Sequence, residues 1–430
     1  MDGRSVAIAM TILLAGVGFN WMFPGGHAET PGEVGLQANT VLAIFNAEVP
    51  SDLGLYLLGY GVVDEQGQAA PWASVTTVNI PATVARLEAR SDVVHAYQPN
   101  LFILQGVPDD PYYTQQWGPV QANLPAAWDI ESGSPNIKIA ILDGGVDADH
   151  PDLADANCGP EVHVPTPFTA GNLDHGTHVA GIAAATRNNG IGIAGTSAAC
   201  FTMFVIRVDD SGSPELPSGV KEQYIIDSIV LATASGHRIL SLSMSASYDG
   251  LLGPQAPGLD DAIEAAAAAG VLMFAAAGNI LPGGCADPTA ADQVLYPASH
   301  ADVVAVGAID SLLGRATNMS SKGHESACGP DLEVVAPGKE IMSTLPVTTS
   351  NPDGVGFLSG TSMSTPMVSG IASLVWSANP ALSRTQVRCI LQETALDLGP
   401  SGWDAQFGYG AVDAEAAVLA GLALPGPCAQ

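Results

Sequence analysis

Basic residues are what this 430-residue chain has least of: 13 Lys and Arg stand against 43 Asp and Glu, a formal charge of 13 − 43 = −30. Phosphate backbones and anionic lipid surfaces are gripped by clustered Lys and Arg, so the balance excludes nucleic acid and an anionic membrane as partners. Charged residues of both signs make up only 13% while hydrophobic residues make up 47%, which excludes a disordered chain. Aromatics are 6%, so the core is expected to be built of Ala, Val and Ile. No two cysteines are spaced C-x-x-C, which removes the usual signature of a zinc site. Beyond the amino terminus no segment stays apolar for the ~20 residues that a membrane span needs. Residues 262–277 come closest, and Glu264 and Gly270 divide them into a helix and a following buried strand. No internal repeat is present.

What is there begins with 48 Gly and 31 Pro, the composition of a chain with many tight turns. Residues 1–28 read as a secretory signal: Arg4 in a short n-region, an apolar or small stretch over 6–17, and Gly26-His27-Ala28 for cleavage. The competing reading is an uncleaved anchor, for which the apolar stretch is too short. All six cysteines lie beyond this segment, and in an oxidising compartment six imply three disulfides out of fifteen possible pairings. Neighbours in sequence close the shortest loops, which favours Cys158–Cys200, Cys285–Cys328 and Cys389–Cys428.

Residues 29–107 read as a small α+β unit. Residues 76–80 alternate as a strand, Pro81 opens a helix carrying Val84 and Leu87, and 93–97 form a further strand. Pro108-Asp109-Asp110-Pro111 is a polar, turn-rich boundary. In residues 108–430 apolar strands alternate with Ala-rich helices, the pattern of an α/β domain with a parallel sheet sandwiched by helices. Strands are expected at 137–142, 201–208, 238–244, 271–276 and 303–307, and helices at 177–185, 222–234 and 260–269.

Three segments of this domain carry chemistry. A buried strand delivers Asp143-Gly144-Gly145 at its carboxyl end. Asp174-His175-Gly176-Thr177-His178 starts a helix with a histidine in its first turn. Gly360-Thr361-Ser362-Met363-Ser364 starts another with a serine in its first turn. Acyl transfer needs a nucleophilic hydroxyl, a base to take its proton and a carboxylate to orient that base. Open α/β sheets gather ligands at strand ends and helix starts, where these three fall. A lone Asp, His or Ser would be a cap or a core group, and His178 reads that way; three together do not. The Thr-Ser-Met-Ser setting also differs from the Gly-x-Ser-x-Gly of α/β-hydrolase esterases.

In their order and context these motifs resemble the subtilisin-like serine proteases over roughly residues 108–420. The resemblance implies a serine endopeptidase acting on protein or peptide substrates, with Asp143 orienting, His175 as general base and then acid, and Ser362 attacking. Asn279, closing Phe274-Ala275-Ala276-Ala277-Gly278-Asn279, would donate to the oxyanion. It also implies cleft walls formed by Ser243, Met244 and Ser245 on one side and Ala276, Ala277 and Gly278 on the other. Residues 29–107 resemble the family's inhibitory propeptide, with self-cleavage near 106–109. Matches at Asp110, Asp152 and Asn189, with the carbonyls of Thr186, Ile191 and Ile193, imply a structural Ca²⁺. Three positions depart from the family: Gly144 replaces a Ser or Thr, Ser364 an Ala, and Ser245 a Gly. An extracellular monomer is expected. A catalytically silent scaffold and a peptide ligase on the same fold are the alternative readings.

Overall fold

The computed structural model describes residues 40–45, 56–63, 69–76, 80–91, 93–97, 107–164, 173–206, 208–209, 219–245, 256–286, 294–423 and 428. The expected leader at 1–28 and residue 106 of the expected cleavage segment lie outside them. The chain divides into two units, Met1–Leu104 and Gln105–Gln430.

In the first unit, β1 (Thr40–Phe45), β2 (Tyr56–Val63), β3 (Ala69–Thr76) and β4 (Val93–Tyr97) form an antiparallel sheet in the order β2-β3-β1-β4. Helix α1 (Ile80–Glu88) precedes β4 and buries Leu87. The expected strand at 76–80 is corrected. Thr76 ends β3, Ile80 already opens the helix, and 77–79 lie outside the described residues. Pro81 sets a helical φ in the first turn, and this outweighs the β-branched run before it.

The second unit opens with α2 (Trp117–Gln121) and α3 (Leu124–Ile130), followed by β5 (Lys138–Asp143), β6 (Val162–Val164), α4 (Asp174–Ala184) and β7 (Cys200–Ile206). A short pair, β8 (Val208–Asp209) and β9 (Gly219–Val220), leads to α5 (Glu222–Ala234), β10 (Ile239–Leu242), α6 (Pro257–Ala268) and β11 (Leu272–Ala276). Then come β12 (Asn279–Ile280), β13 (Val303–Ile309), β14 (Glu325–Ser326), β15 (Val334–Pro337), β16 (Ile341–Thr344) and β17 (Val355–Leu358). The helices α7 (Thr361–Ala378), α8 (Arg384–Glu393) and α9 (Ala414–Leu422) complete the unit.

Seven strands form one parallel sheet in the order β15-β13-β11-β10-β5-β7-β6. Side chains alternate between its faces, and both faces are covered. Ile139 and Ile141 of β5 join one core with α4 and α7, while Ala140 and Leu142 join the other with α5 and α6. After β5 the chain builds β7 on one side, then returns to lay β10 on the other. Such a reversal, here at the carboxyl ends of β5 and β10, is where open α/β sheets take their ligands. The three disulfides are Cys158–Cys200, Cys285–Cys328 and Cys389–Cys428, as the loop lengths favoured. No helix of the described residues is long and apolar enough to cross a membrane.

Candidate active site

Asp143 is the last residue of β5 and is 7% exposed. The Gly144 N–H donates to Asp143 Oδ1 at 2.7 Å, and Gly144, standing where the family has Ser or Thr, has no hydroxyl to add to it. The other oxygen, Oδ2, lies 2.8 Å from His175 Nδ1 in the first turn of α4. An ionised carboxylate only accepts, so Nδ1 carries the proton and Nε2 is left as the free base. The Asp143 charge, set against partial burial, raises the His175 pKa above its ordinary value of 6.5. Gly176 makes the approach possible, since a Cβ there would come within 2.1 Å of the Gly145 carbonyl oxygen. The neighbouring His178 is wholly buried. Its Nε2 donates to Ile341 and Gly356 carbonyls, and burial depresses its pKa to about 3, so it is a structural, neutral histidine.

Ser362 lies in the first turn of α7, half-buried. Pro366 has no N–H to give the carbonyl four residues earlier, which is that of Ser362. Ser243, just past β10, fills the vacancy, its Oγ donating to Ser362 O at 2.9 Å. In return Ser362 Oγ donates to the Ser243 carbonyl at 3.2 Å. The two motifs are thus latched together at the sheet's carboxyl edge, where α4 and α7 also pack against each other. Ser364 is buried, and its hydroxyl donates to the Ala336 and Pro337 carbonyls, so its departure from Ala leaves no unpaired group.

Asn279 follows β11. Its Oδ1 accepts from the Thr361 N–H at 3.1 Å and from Thr361 Oγ1 at 3.3 Å. With the oxygen engaged, Nδ2 becomes the outward donor beside the helix start that carries Ser362. A helix leaves its first-turn amides without internal acceptors, so the Ser362 N–H is a second donor there. Thr361 was missed in the sequence. A Thr between Gly360 and Ser362 was the signal, but its link to Asn279 spans 82 residues. Of the cleft residues, Ser243 is buried, Met244 half-buried and Ser245 exposed, while Ala276 and Ala277 are buried. The Gly278 N–H donates to Thr361 Oγ1 and its carbonyl accepts from Ala327, so its backbone is committed inside the protein.

The residues expected to hold calcium gather in one loop region. Asp152 is fully buried; Oδ1 accepts from Asn189 Nδ2 at 2.9 Å and Oδ2 from the Ile193 N–H at 2.8 Å. Its carbonyl accepts from Thr186 N–H. Asp110, also buried, accepts the Asn188 and Asn189 N–H groups. Asn189 keeps its own Oδ1 on the Ile191 N–H, so it turns nitrogen rather than oxygen toward Asp152. Burial pushes the Asp152 pKa up to about 6, with the Asp110 charge adding to it. Gly192 lets the carboxylate in, because a Cβ there would stand 2.2 Å from Asp152 Oδ2. The described residues hold no group of three or more His, Cys, Asp or Glu side chains placed to share a metal.

The sheet's carboxyl edge thus carries an imidazole held by a carboxylate, and a serine whose hydroxyl rests on the Ser243 carbonyl, the residue types that a serine hydrolase uses. The profile of the Subtilase family matches residues 134–410. Thermitase of Thermoactinomyces vulgaris is 37% identical over 69% of this chain and 94% of its own. The halolysin-like extracellular serine protease Nep of Natrialba magadii is 34% identical over 73% of this chain, which spans about half, 53%, of that relative. Among solved structures, a protease of Pseudoalteromonas arctica PAMC 21717 aligns with a TM-score of 0.60 at 27% identity, over 74% of this chain and all of that one. The chain belongs to the Subtilase family and is a serine endopeptidase.

Proposed function

We propose that this chain is an exported, self-processed precursor whose mature enzyme cleaves peptide bonds with Asp143, His175, Ser362 and Asn279. The observation that carries the reading is the 2.8 Å contact of Asp143 Oδ2 with His175 Nδ1, which leaves Nε2 as the base that Ser362 would use once its hydroxyl leaves the Ser243 carbonyl. As Ser362 Oγ attacks the scissile carbonyl carbon, its proton passes to His175 Nε2, and Asp143 stabilises the imidazolium that forms. The carbonyl oxygen becomes an oxyanion and takes hydrogen bonds from Asn279 Nδ2 and the Ser362 N–H. His175 returns the proton to the leaving amine. Water then enters by the same route in reverse, releasing the acid and restoring the hydroxyl. The substrate lies between 243–245 and 276–278.

Residues 1–28 act as the leader and 29–107 as the enzyme's own propeptide, which a large sheet of non-local contacts would use as a folding template. The extracellular relative supports export. Calcium fits the loop that holds Asp110, Asp152 and Asn189. Burial raises the pKa of both carboxylates there, with Asp109 adding to it at Asp110 and Asp110 adding to it at Asp152, and no hydrogen bond among the described residues ends on the carbonyls of Thr186, Ile191 or Ile193. These six would hold Ca²⁺ in an all-oxygen shell once Asn189 turns its oxygen inward. The ion would supply the positive charge that buried carboxylates require.

Expression of Ser362→Ala tests the scheme. The variant is expected to fold yet stay uncleaved near 106–109, shown by intact mass and amino-terminal sequence, because only one hydroxyl is lost. Efficient processing of purified Ser362→Ala in a protease-deficient host would remove both the nucleophile and the self-maturation scheme.

A further inference from the structure

Two glycines, Gly144 and Gly145, follow Asp143, the second at φ +130°. Neither has a side chain to pin the turn, and glycine has the widest conformational freedom of any residue. Two side chains from other elements tie it down. The Asp147 N–H donates to Thr177 Oγ1 at 2.9 Å. The Val146 N–H donates to Glu161 Oε1 at 3.1 Å, just ahead of β6. The second carboxylate oxygen, Glu161 Oε2, lies 3.2 Å from His163 Nε2. A charged acceptor holds a backbone N–H more strongly than a neutral one. The turn in turn presses on the base: the Gly145 carbonyl lies against Gly176, where a Cβ would meet it at 2.1 Å. Displacement of 144–146 therefore reaches His175 through the first turn of α4 as well as through Asp143.

We infer that Glu161 is a positioning residue for the acid–base pair. Through the Val146 N–H it fixes the glycine turn, and so the seating of Asp143 against His175. The inference rests on the catalytic roles proposed above. Titratable groups around the turn are Asp143, Asp147, Glu161, His163 and His175, so charge has to be separated from reach in any test.

Glu161→Ala, Glu161→Gln and Glu161→Asp, made in the full chain and matured, separate them. Sites are counted with an irreversible sulfonylating inhibitor, and kcat, KM and the pH profile are measured on a peptide substrate. Glu161→Ala is expected to lower kcat per titrated site about ten- to hundredfold, since small misplacements cost that much. Its KM stays within about twofold, because substrate contacts are untouched. The acid limb of kcat/KM moves to lower pH, because a poorly seated Asp143 raises the His175 pKa less. Glu161→Gln keeps an oxygen for the Val146 N–H and restores most of the rate. Glu161→Asp keeps the charge but is one methylene short, and behaves as Ala. Wild-type kcat per site and acid limb in Glu161→Ala, or Asp performing as well as or better than Gln, overturns the inference. If Ala does not fold, the Gln-against-Asp order decides alone. A parallel Ser362→Ala distinguishes the two failures. An active Ser362→Ala removes the catalytic reading itself, whereas an inactive one beside a flat Glu161 series removes only the role of Glu161.

Discussion

Asp143 and Asp152 are both buried carboxylates at a loop edge of the same unit, with both oxygens hydrogen-bonded, yet their surroundings differ. Asp143 faces a titratable partner that is 41% exposed along its side chain, so charge and proton can move between site and substrate. Asp152 faces only neutral amides, with a second carboxylate, Asp110, adding to the cost of its ionisation. In the proposed mechanism the first arrangement uses its negative charge to hold a cationic imidazolium during the reaction. The second sets two carboxylates near one another with Arg187 as the cation that acts on Asp110, and the proposed Ca²⁺ would add positive charge at Asp152. Burial alone thus does not tell a catalytic carboxylate from a metal ligand; the donor beside it does.

The same substitution at the two positions separates them most sharply. Asp143→Asn keeps the shape but offers His175 Nδ1 a donor in place of an acceptor, which favours the wrong tautomer. A loss of kcat of about 10⁴-fold is expected, the scale found when the equivalent change is made in a serine protease of another fold. Asp152→Asn is expected to leave kcat per titrated site near that of the wild type at 25 °C. Equal losses at both positions would erase the distinction. Asn279→Ala ranks next, with kcat about 10²–10³-fold lower and KM little changed, the scale measured for this amide in subtilisin. If KM rises instead while kcat holds, the amide binds ground-state substrate and is not an oxyanion donor.

A third effect falls on stability. With Ser362 blocked against autolysis, Ca²⁺ at a hundredfold excess over its Kd adds about 2.7 kcal/mol, a rise in Tm of roughly 5 °C. The pH sign follows from Asp152. Its folded pKa, about 6, stands above its ordinary 3.8. Between those values the folded, metal-free protein holds a proton that the unfolded chain has lost, so metal-free stability declines as pH rises through the window. Calcium selects the carboxylate and offsets that decline. The increment in Tm is therefore expected to be full above pH 6 and to vanish as pH falls through it. Asp152→Asn removes much of it at every pH. An increment independent of pH, or retained in Asp152→Asn, places the ion elsewhere.

Much of the fold was legible in the sequence because its strands are buried on both faces and read as continuous apolar runs. Residues 137–142 became β5 within a residue, and 222–234 is α5 exactly as expected. What the sequence hid were elements too short to show a period. β6 has three residues and β15 four, ending in Pro337, so both pass for loop. α6 starts at Pro257, three residues before the expected 260, because a proline in the first turn is easily taken for a break. At the site, the motif residues stood out by type, but their supports did not. Thr361 on Asn279 and Ser243 on Ser362 join residues 82 and 119 apart, and no periodicity links them. The Asn189 orientation was equally hidden, since a sequence does not say which end of an amide points inward.

Ser245 offers the smallest and finest test of the catalytic edge. It follows Ser243, whose side chain is turned inward to Ser362, and Met244, which is half-buried; Ser245 is exposed. β10 ends at Leu242, and Ser245 lies two residues past the serine that holds Ser362, at the exposed end of that segment. On the proposed reading of the cleft, a hydroxymethyl group there occupies space that the substrate's backbone and its side chain before the scissile bond would otherwise share. Ser245→Gly is expected to raise kcat/KM for Phe or Leu at that position, relative to Ala, by about tenfold or less, the scale of one small group in a pocket. The change should lie in kcat/KM ratios across a peptide library, with the sulfonylation-titrated site content constant. Identical preferences in the two enzymes would mean that Ser245 faces solvent alone. The boundary between the latch that holds Ser362 and the wall that reads the substrate would then fall at Met244.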